Sequence, residues 1–510
     1  MKSSKELLDA PIAAPSDQLR ARAVGGVAVT GISQTIKMVV QFLSVVVLAR
    51  LLSPDDFGVF AMVMPITAFV MMFQDLGLAQ AVVTSASITP RQASTLFWVN
   101  VGLSAVLAIA LAASAPLIGA FYGEPRAVGM AVALAATVMI AGLGAQHMAL
   151  LTRHMRFSRM AMIDIAGTIL GFATAVVFAL IRPSPWALFA SVAVTMATSM
   201  IGAWLSADWR PGRPGPIREV GAMLRFGGGL TGFNLTNFLA RNIDKVLIGR
   251  TAGADALGLY DRAYKLLLWP LQQINAPLSR VMVPVLSRLR DEPGRYRHAY
   301  ERTVRLILLA ALPGVTFLIL TADKLIATLM GDEWAAAAPI FMWLGLAGLH
   351  QPMTSTVGWL FISQQRTGEF ARWGMINAVT SIAAFAAGLP WGAIGVAAAY
   401  ALSDLFLRMP IVWWWVGRKG PVRTRALYVM AAPFAAGAAA AAALLAVARR
   451  FSTGIAIVDL MLLAAIAYVG AWTVVLAFKG GRAAFADAFG VVRPLIDKLA
   501  GRLRREPARP

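Results

Sequence analysis

The sequence contains an internal repeat with an offset of two hundred residues. Residues 34–83 align with residues 234–283 without a gap. The polar and glycine positions that coincide include Arg50 with Arg250, Asp55 with Asp255, and Gly58 with Gly258. Apolar matches between hydrophobic segments arise easily by chance, whereas polar and glycine matches in one register do not. A membrane chain built from two equivalent halves is typical of a transporter whose substrate site lies between the halves.

The composition is that of a membrane protein. Of the 510 residues, 58% are hydrophobic and 14% are charged, and the mean hydropathy is +0.69. A soluble protein has about 25% charged residues. The chain has no cysteine, which excludes disulfides and thiolate metal sites, and its four histidines are too scattered to suggest a metal cluster. We therefore predict no metal site.

About fourteen segments are long and apolar enough to cross a bilayer, which requires roughly twenty residues each. They lie near 24–49, 58–83, 92–119, 127–151, 161–181, 186–206, 226–249, 263–287, 303–322, 336–362, 370–389, 392–416, 426–447 and 455–478. The predicted fold is an all-α integral membrane protein with two pseudo-symmetric six-helix lobes and a final helix pair.

The predicted organisation follows from these segments and from the polar stretches between them. The proline- and glycine-rich connection before the second repeat cannot form a regular helix and is predicted to be a linker. The divisions are an N-terminal cytoplasmic tail 1–23, an N-lobe 24–206, a cytoplasmic linker 207–225, a C-lobe 226–417, a helix pair 426–478 and a basic amphipathic cytoplasmic tail 479–510.

The net charge of +21 indicates orientation rather than nucleic-acid binding. Most of the 46 Lys and Arg residues fall in alternate loops, on the same side as the two termini. Positively charged loops face the cytoplasm. We therefore predict that both termini are cytoplasmic and that nucleic acid is not a partner.

Polar side chains follow one face of the first predicted helix and one face of the seventh. At 100° per residue, each set falls on a narrow stripe. The stripes are formed by Thr30, Gln34, Lys37, Gln41 and Ser44 on the first helix, and by Asn234, Asn237, Arg241 and Lys245, with Asp244 at the edge, on the seventh. Because the two helices are equivalent in the repeat, we expect both stripes to approach one central space.

We interpret the stripes as the wall of a hydrated cavity that binds an anionic substrate, because Lys and Arg form charge-assisted hydrogen bonds with phosphate and carboxylate. The alternative is structural, with Asp244 pairing with Arg241 or Lys245 and the amides holding helices together. The sequence alone leaves both interpretations open.

Carboxylates within the predicted spans are costly unless they are paired or functional. Asp75, Asp164 and Asp244 are therefore candidates for coupling transport to a proton or sodium ion. Asp404 and Arg408 stand four residues apart on the twelfth helix, which predicts a structural ion pair.

Motifs for an enzyme are absent from the sequence. It contains no P-loop, so it has no ATPase site of that type. A membrane glycosyltransferase, polymerase or ligase would need a sizeable extramembrane loop, and the predicted loops are short. We predict a non-enzymatic protein without a cofactor, driven by an ion gradient, the membrane potential or product removal.

Three stretches of the sequence resemble a known family. ARLLSPDDFGVFAMV (49–63) followed by FQDLGLAQAVV (73–83) resembles the N-terminal signature of bacterial polysaccharide flippases. The segment 241–289, beginning RNIDKVLIGRTAGADALGLYDRAY, is similar to their second signature. These are the Wzx-type, colanic-acid and teichuronic-acid exporter-like members of the multidrug/oligosaccharidyl-lipid/polysaccharide superfamily.

The resemblance implies two six-helix lobes around a cavity and alternating access. It also implies the substrate, an undecaprenyl-diphosphate-linked oligosaccharide moved across the bacterial inner membrane for O-antigen, capsule or exopolysaccharide synthesis. A polysaccharide polymerase and export machinery are the protein partners implied. An ion-coupled drug or cation antiporter and a lipid II flippase are the alternatives, although an antiporter for cations would favour carboxylates in its cavity.

Overall fold

The computed structural model describes residues 16–75, 81–83, 85 and 88–503. Within them most residues are helical and no β-strand occurs. Contacts divide the chain into two compact units, Met1–Asp261 and Arg262–Pro510. The fold class is therefore the one predicted.

The first unit begins with six helices. They are α1 (Ser16–Leu51), α2 (Pro54–Asp75), α3 (Pro90–Tyr122), α4 (Arg126–Arg153), α5 (Phe157–Ile181) and α6 (Trp186–Ser206). A 3₁₀ turn, Ile217–Val220, precedes the long helix α7 (Gly221–Arg288), whose path bends where Gly253 has φ 83° and ψ −175°. The bend separates the two segments that the sequence predicts as the seventh and eighth spans.

The second unit contains the end of α7 and nine further helices in the described part. They are α8 (Pro293–Leu320), α9 (Ala322–Leu329), α10 (Ala337–Ser363), α11 (Thr367–Gly388), α12 (Gly392–Ser403), α13 (Met409–Gly417), α14 (Thr424–Ala448), α15 (Ala456–Ala477) and α16 (Lys479–Leu503). A π-helical turn, Asp404–Arg408, joins α12 to α13.

Local sequence explains where individual helices begin and end, and α3 is the clearest case. The Thr89 hydroxyl accepts a hydrogen bond from the Gln92 amide, and the Gln92 side chain accepts one from the Thr89 amide. This capping box satisfies two amides that the first turn leaves free. Pro90 takes the first helical position, where its missing N–H costs nothing. Gly123 ends the helix at φ 68°, a left-handed conformation that glycine adopts without strain.

Ten helices in the described residues are long and apolar enough to span a membrane. One of them, residues 367–417, covers two of the fourteen predicted segments. The remaining three predicted segments lie on α7 and α10, which are not among these ten. The chain is a multi-pass membrane protein, and the exact number of fourteen spans stays a prediction.

The internal repeat has a physical counterpart at two glycines of the first unit. A Cβ atom at Gly58 would overlap the carbonyl oxygen of Ala254, and a Cβ atom at Gly258 would overlap that of Pro54. Gly58 and Gly258 are equivalent positions of the repeat, and so are Pro54 and Ala254. Reciprocal contact between equivalent residues is the pattern produced by a two-fold axis. The close approach of two helix backbones at small residues is a common packing mode in membranes.

The connection before the second repeat is irregular from Ala207 to Pro216. Helix α7 begins at Gly221, before the predicted end of the linker at residue 225. It is nevertheless fixed to α3. The amide of Gly212 donates to the Ser94 hydroxyl at 3.0 Å, and the indole of Trp98 donates to the Gly212 carbonyl at 2.9 Å. These bonds satisfy backbone groups that a loop leaves without helical partners.

Candidate functional site

Helix α1 carries the first predicted stripe as one continuous helix. Gln34, Lys37 and Gln41 are spaced three and four residues apart, so they lie on one face. Gln34 and Gln41 are exposed, and Lys37 is half-buried. The polar face of this candidate span is therefore accessible.

Lys37 forms an ion pair with Asp164 on α5. Its Nζ atom lies 3.0 Å from the Asp164 carboxylate, and the two side chains are 26% and 42% exposed. Helices α1 and α5 pack against each other, which brings these residues together. The structure thus joins a predicted substrate cation to a predicted ion-coupling carboxylate. The pair is partly exposed.

The second stripe ends in a buried polar cluster at the bend of α7. Lys245 Nζ lies 2.9 Å from the Asp261 carboxylate, and these side chains are 14% and 2% exposed. Next to them, the Tyr260 hydroxyl donates to Asp244 at 2.9 Å. Asp244 therefore accepts a hydrogen bond from a tyrosine, while the neighbouring Lys245 pairs with Asp261. Burial favours a structural role for Lys245 in this conformation.

The other predicted site residues cannot be placed in the same detail. The side chains of Asn234, Asn237 and Arg241 on α7 lie outside the described residues, and so does that of Asp75 at the end of α2. Their roles in the cavity and in ion coupling stay predictions.

Asp404 and Arg408 form the predicted ion pair, with Arg408 Nε 3.2 Å from the carboxylate. The guanidinium group also donates to the Ser381 hydroxyl and to the Tyr400 carbonyl, and it stacks over the Tyr400 ring. His350 on α10 reaches the other oxygen of Asp404 at 3.3 Å. Arg408 is buried and held by many contacts, which supports the structural role predicted for this pair.

Sequence reasoning missed two of the partners that define these clusters. Asp261 lies eight residues after the bend of α7 at Gly253, and His350 lies in a mainly apolar helix, so neither belongs to a predicted polar stripe. The sequence does indicate that Asp261 needs a partner, because an unpaired acidic residue bordering an apolar segment is energetically costly. The sequence does not identify that partner as Lys245.

Comparison with known proteins identifies the family. A family model described as "Polysaccharide biosynthesis protein" matches residues 47–339, which is more than half of the chain. The chain belongs to this family. The match begins just before the first of the quoted stretches and contains all of them, so the predicted resemblance is confirmed.

Two relatives show the same association with polysaccharides. The lipopolysaccharide biosynthesis protein WzxC of Escherichia coli (strain K12) is 24% identical over 390 residues, covering 76% of this chain and 79% of the relative. The succinoglycan biosynthesis transport protein ExoT of Rhizobium meliloti (strain 1021) is 25% identical over 358 residues, covering 70% and 72%.

A solved structure supports the fold. The lipid II flippase MurJ, in an inward closed conformation, superposes with a TM-score of 0.70 at 12% identity. The match covers 91% of this chain and 99% of that one. At this identity the likeness concerns the fold alone, and it places the family member described here among helical membrane proteins of that architecture.

Proposed function

We propose that this protein moves a polyprenyl-diphosphate-linked oligosaccharide across the bacterial inner membrane during surface-polysaccharide synthesis. Family membership and the names of the relatives support a role in polysaccharide transport. The observation that carries the substrate assignment is the partly exposed Lys37–Asp164 pair on the polar face of α1. An ammonium group within a span suits a diphosphate, which is the charged part of such a lipid.

The chemistry at Lys37 is an exchange of anions. In the structure the ammonium group contacts Asp164, and the diphosphate of the substrate would take the place of that carboxylate. A charge-assisted hydrogen bond to phosphate replaces one to carboxylate, so the step costs little electrostatic energy. Gln34 and Gln41, exposed on the same face, offer amide groups to the sugar hydroxyls.

The same exchange provides a means of ion coupling. When the diphosphate binds Lys37, Asp164 loses its cation in an environment where an isolated carboxylate is costly. Asp164 then takes up a proton or a sodium ion, and it releases that ion when Lys37 returns. Substrate binding and ion binding are thereby linked at one pair of residues, while Asp75 and Asp244 stay further candidates.

The wider cycle follows from the two-half architecture. The halves alternate between openings to the cytoplasm and to the far side, with the sugar and diphosphate in the polar cavity and the polyprenyl chain in lipid. Both termini are cytoplasmic in this proposal. The protein transports rather than catalyses, and it delivers its cargo to a polysaccharide polymerase and export machinery.

The test compares variants in cells that lack the chromosomal gene. Lys37→Met should reduce export about tenfold to a hundredfold, since a hydrogen bond to a charged group contributes about 1.5–3 kcal/mol and each 1.4 kcal/mol is about tenfold. Lys37→Arg should retain most activity. Lys324→Met is the matched control, because Lys324 lies on a different helix, α9, and has its own carboxylate partner, Asp459. Surface glycan and intracellular lipid-linked oligosaccharide are measured together.

Three results would separate the alternatives. Normal glycan export with Lys37→Met would contradict the cationic site. Intact glycan in the deletion strain, with altered tolerance to cationic drugs, would identify an antiporter. Accumulation of the peptidoglycan precursor in place of a polysaccharide unit would identify a lipid II flippase.

A further inference from the structure

A separate groove lies in the second unit, between the end of α7 and the beginning of α8. Its volume is about 600 Å³, within the range of about 300–1,000 Å³ that ligand sites occupy. Its walls are mainly apolar, with Met282, Leu289 and Leu306 among them. Three basic side chains, Arg295, His298 and Arg302, border the same groove.

The polarity of α8 sets the depth of the groove in the membrane. The helix has 28 residues, about 42 Å at 1.5 Å each, and so exceeds the hydrocarbon thickness of about 30 Å. Its charged residues all lie within 293–305, and residues 306–320 have none. The groove crosses this boundary, with arginines at one end and Leu306 at the other. Its polar end therefore lies at the level of lipid headgroups.

The charge at the polar end favours an anion. Residues 288–305 contain six arginines and three acidic residues. The two groove arginines have carboxylate partners: Arg295 contacts Glu292 at 2.8 Å, and Arg302 contacts Asp487 of α16 at 3.0 Å. The Arg295 pair is largely exposed and the Arg302 pair is partly exposed, and ion pairs accessible to solvent contribute little stability. A phosphate can therefore bind these guanidinium groups at small cost.

We propose that this groove binds an anionic glycerophospholipid from the surrounding leaflet. The phosphate contacts Arg295, His298 and Arg302, and one acyl chain lies along Met282 and Leu306. Val285 in the wall of the groove is 38% exposed, so the groove is open on that side, as an acyl chain entering from the bilayer requires. The basic side chains at the polar end of the groove form only weak ion pairs, which suits a lipid that is abundant in the membrane. Predicted orientation places the site in the cytoplasmic leaflet, where anionic lipids attract basic segments.

The experiment measures lipid retention by the purified full-length protein. Phosphatidylglycerol and phosphatidylcholine with identical acyl chains are offered in the same detergent, and bound lipid is counted by native mass spectrometry. We expect phosphatidylglycerol to bind at least fivefold better than phosphatidylcholine. The variant Arg295→Gln/His298→Gln/Arg302→Gln should lose at least tenfold in phosphatidylglycerol binding. Arg297→Gln is the matched control, because Arg297 pairs with Glu301 on the same helix and does not line the groove.

A second variant tests the apolar wall and covers the case in which the triple variant does not fold. Val285→Trp fills the groove without changing its charge and should also reduce phosphatidylglycerol retention. Equal binding of both lipids by the unaltered protein, or equal losses in Arg297→Gln and the triple variant, would overturn the proposal. Displacement of phosphatidylglycerol by equimolar polyprenyl diphosphate would overturn it too, since the groove would then belong to the substrate. The result does not depend on the proposed flipping activity.

Discussion

At the scale of single residues, two lysine–carboxylate pairs of similar length have different consequences. The Lys37–Asp164 and Lys245–Asp261 distances are 3.0 and 2.9 Å, but Asp164 is 42% exposed and Asp261 is 2% exposed. An accessible pair can exchange partners with a ligand. A buried pair holds its place because each unpaired charge would be costly. The first pair therefore suits transport, and the second stabilises the bend of α7.

We predict that Asp261→Asn destabilises the protein by about 3–5 kcal/mol, the usual cost of removing one member of a buried ion pair. The double variant Lys245→Met/Asp261→Leu should recover part of that loss, because neither member of this pair is then buried without the other. Thermal unfolding in detergent measures both. Equal stability of Asp261→Asn and the unaltered protein would show that Lys245 does not depend on this carboxylate.

A second residue-scale prediction concerns Glu124, in the turn between α3 and α4. A hydrogen bond from the Arg126 side chain lowers the pKa of this carboxyl below its usual value of 4.5. A lowered folded-state pKa stabilises the fold above the unfolded value and loses that contribution as the pH falls through the folded-state pKa. Acidification from pH 6 to pH 3 should therefore reduce the unfolding temperature. Arg126→Gln should flatten this dependence, and an unchanged slope would contradict the assignment.

At the scale of elements, local sequence patterns were sufficient to predict helices and the contacts between residues of one helix. Asp404 and Arg408 could be paired from their spacing alone, because four residues complete about one turn. Lys37 could be assigned to a polar stripe for the same reason. Its partner Asp164 is 127 residues away, and only the packing of α1 on α5 determines that contact. The sequence indicates that both charged residues are energetically costly within a span, but it does not show that they pair with each other.

Contact between α2 and the second segment of α7 gives an element-scale prediction. Gly58→Ala should destabilise the protein by about 1–3 kcal/mol, the cost of overpacking, because its Cβ would overlap Ala254. Gly102→Ala on α3 is the matched control, since its Cβ meets nothing within 4 Å. Alanine exceeds glycine in helix propensity by about 1 kcal/mol, so the control should be neutral or stabilising. Unfolding temperatures that rise equally for both variants would contradict the close crossing.

At the scale of the whole molecule, the absence of cysteine allows the predicted orientation to be tested cleanly. Arg213→Cys marks the connection before α7, and Glu333→Cys marks the turn before α10; both positions are exposed. A membrane-impermeant maleimide applied to spheroplasts should label position 333 at once and position 213 after lysis. The reverse pattern would place both termini outside.

Flipping by the reconstituted protein would show that it moves a lipid-linked oligosaccharide. Purified protein in liposomes receives a fluorescent polyprenyl-diphosphate oligosaccharide in one leaflet, and its arrival in the other is followed by an impermeant quencher. We predict protein-dependent translocation that Lys37→Met slows at least tenfold and Lys324→Met leaves unchanged. Translocation at the rate of protein-free liposomes would contradict the proposed flipping activity.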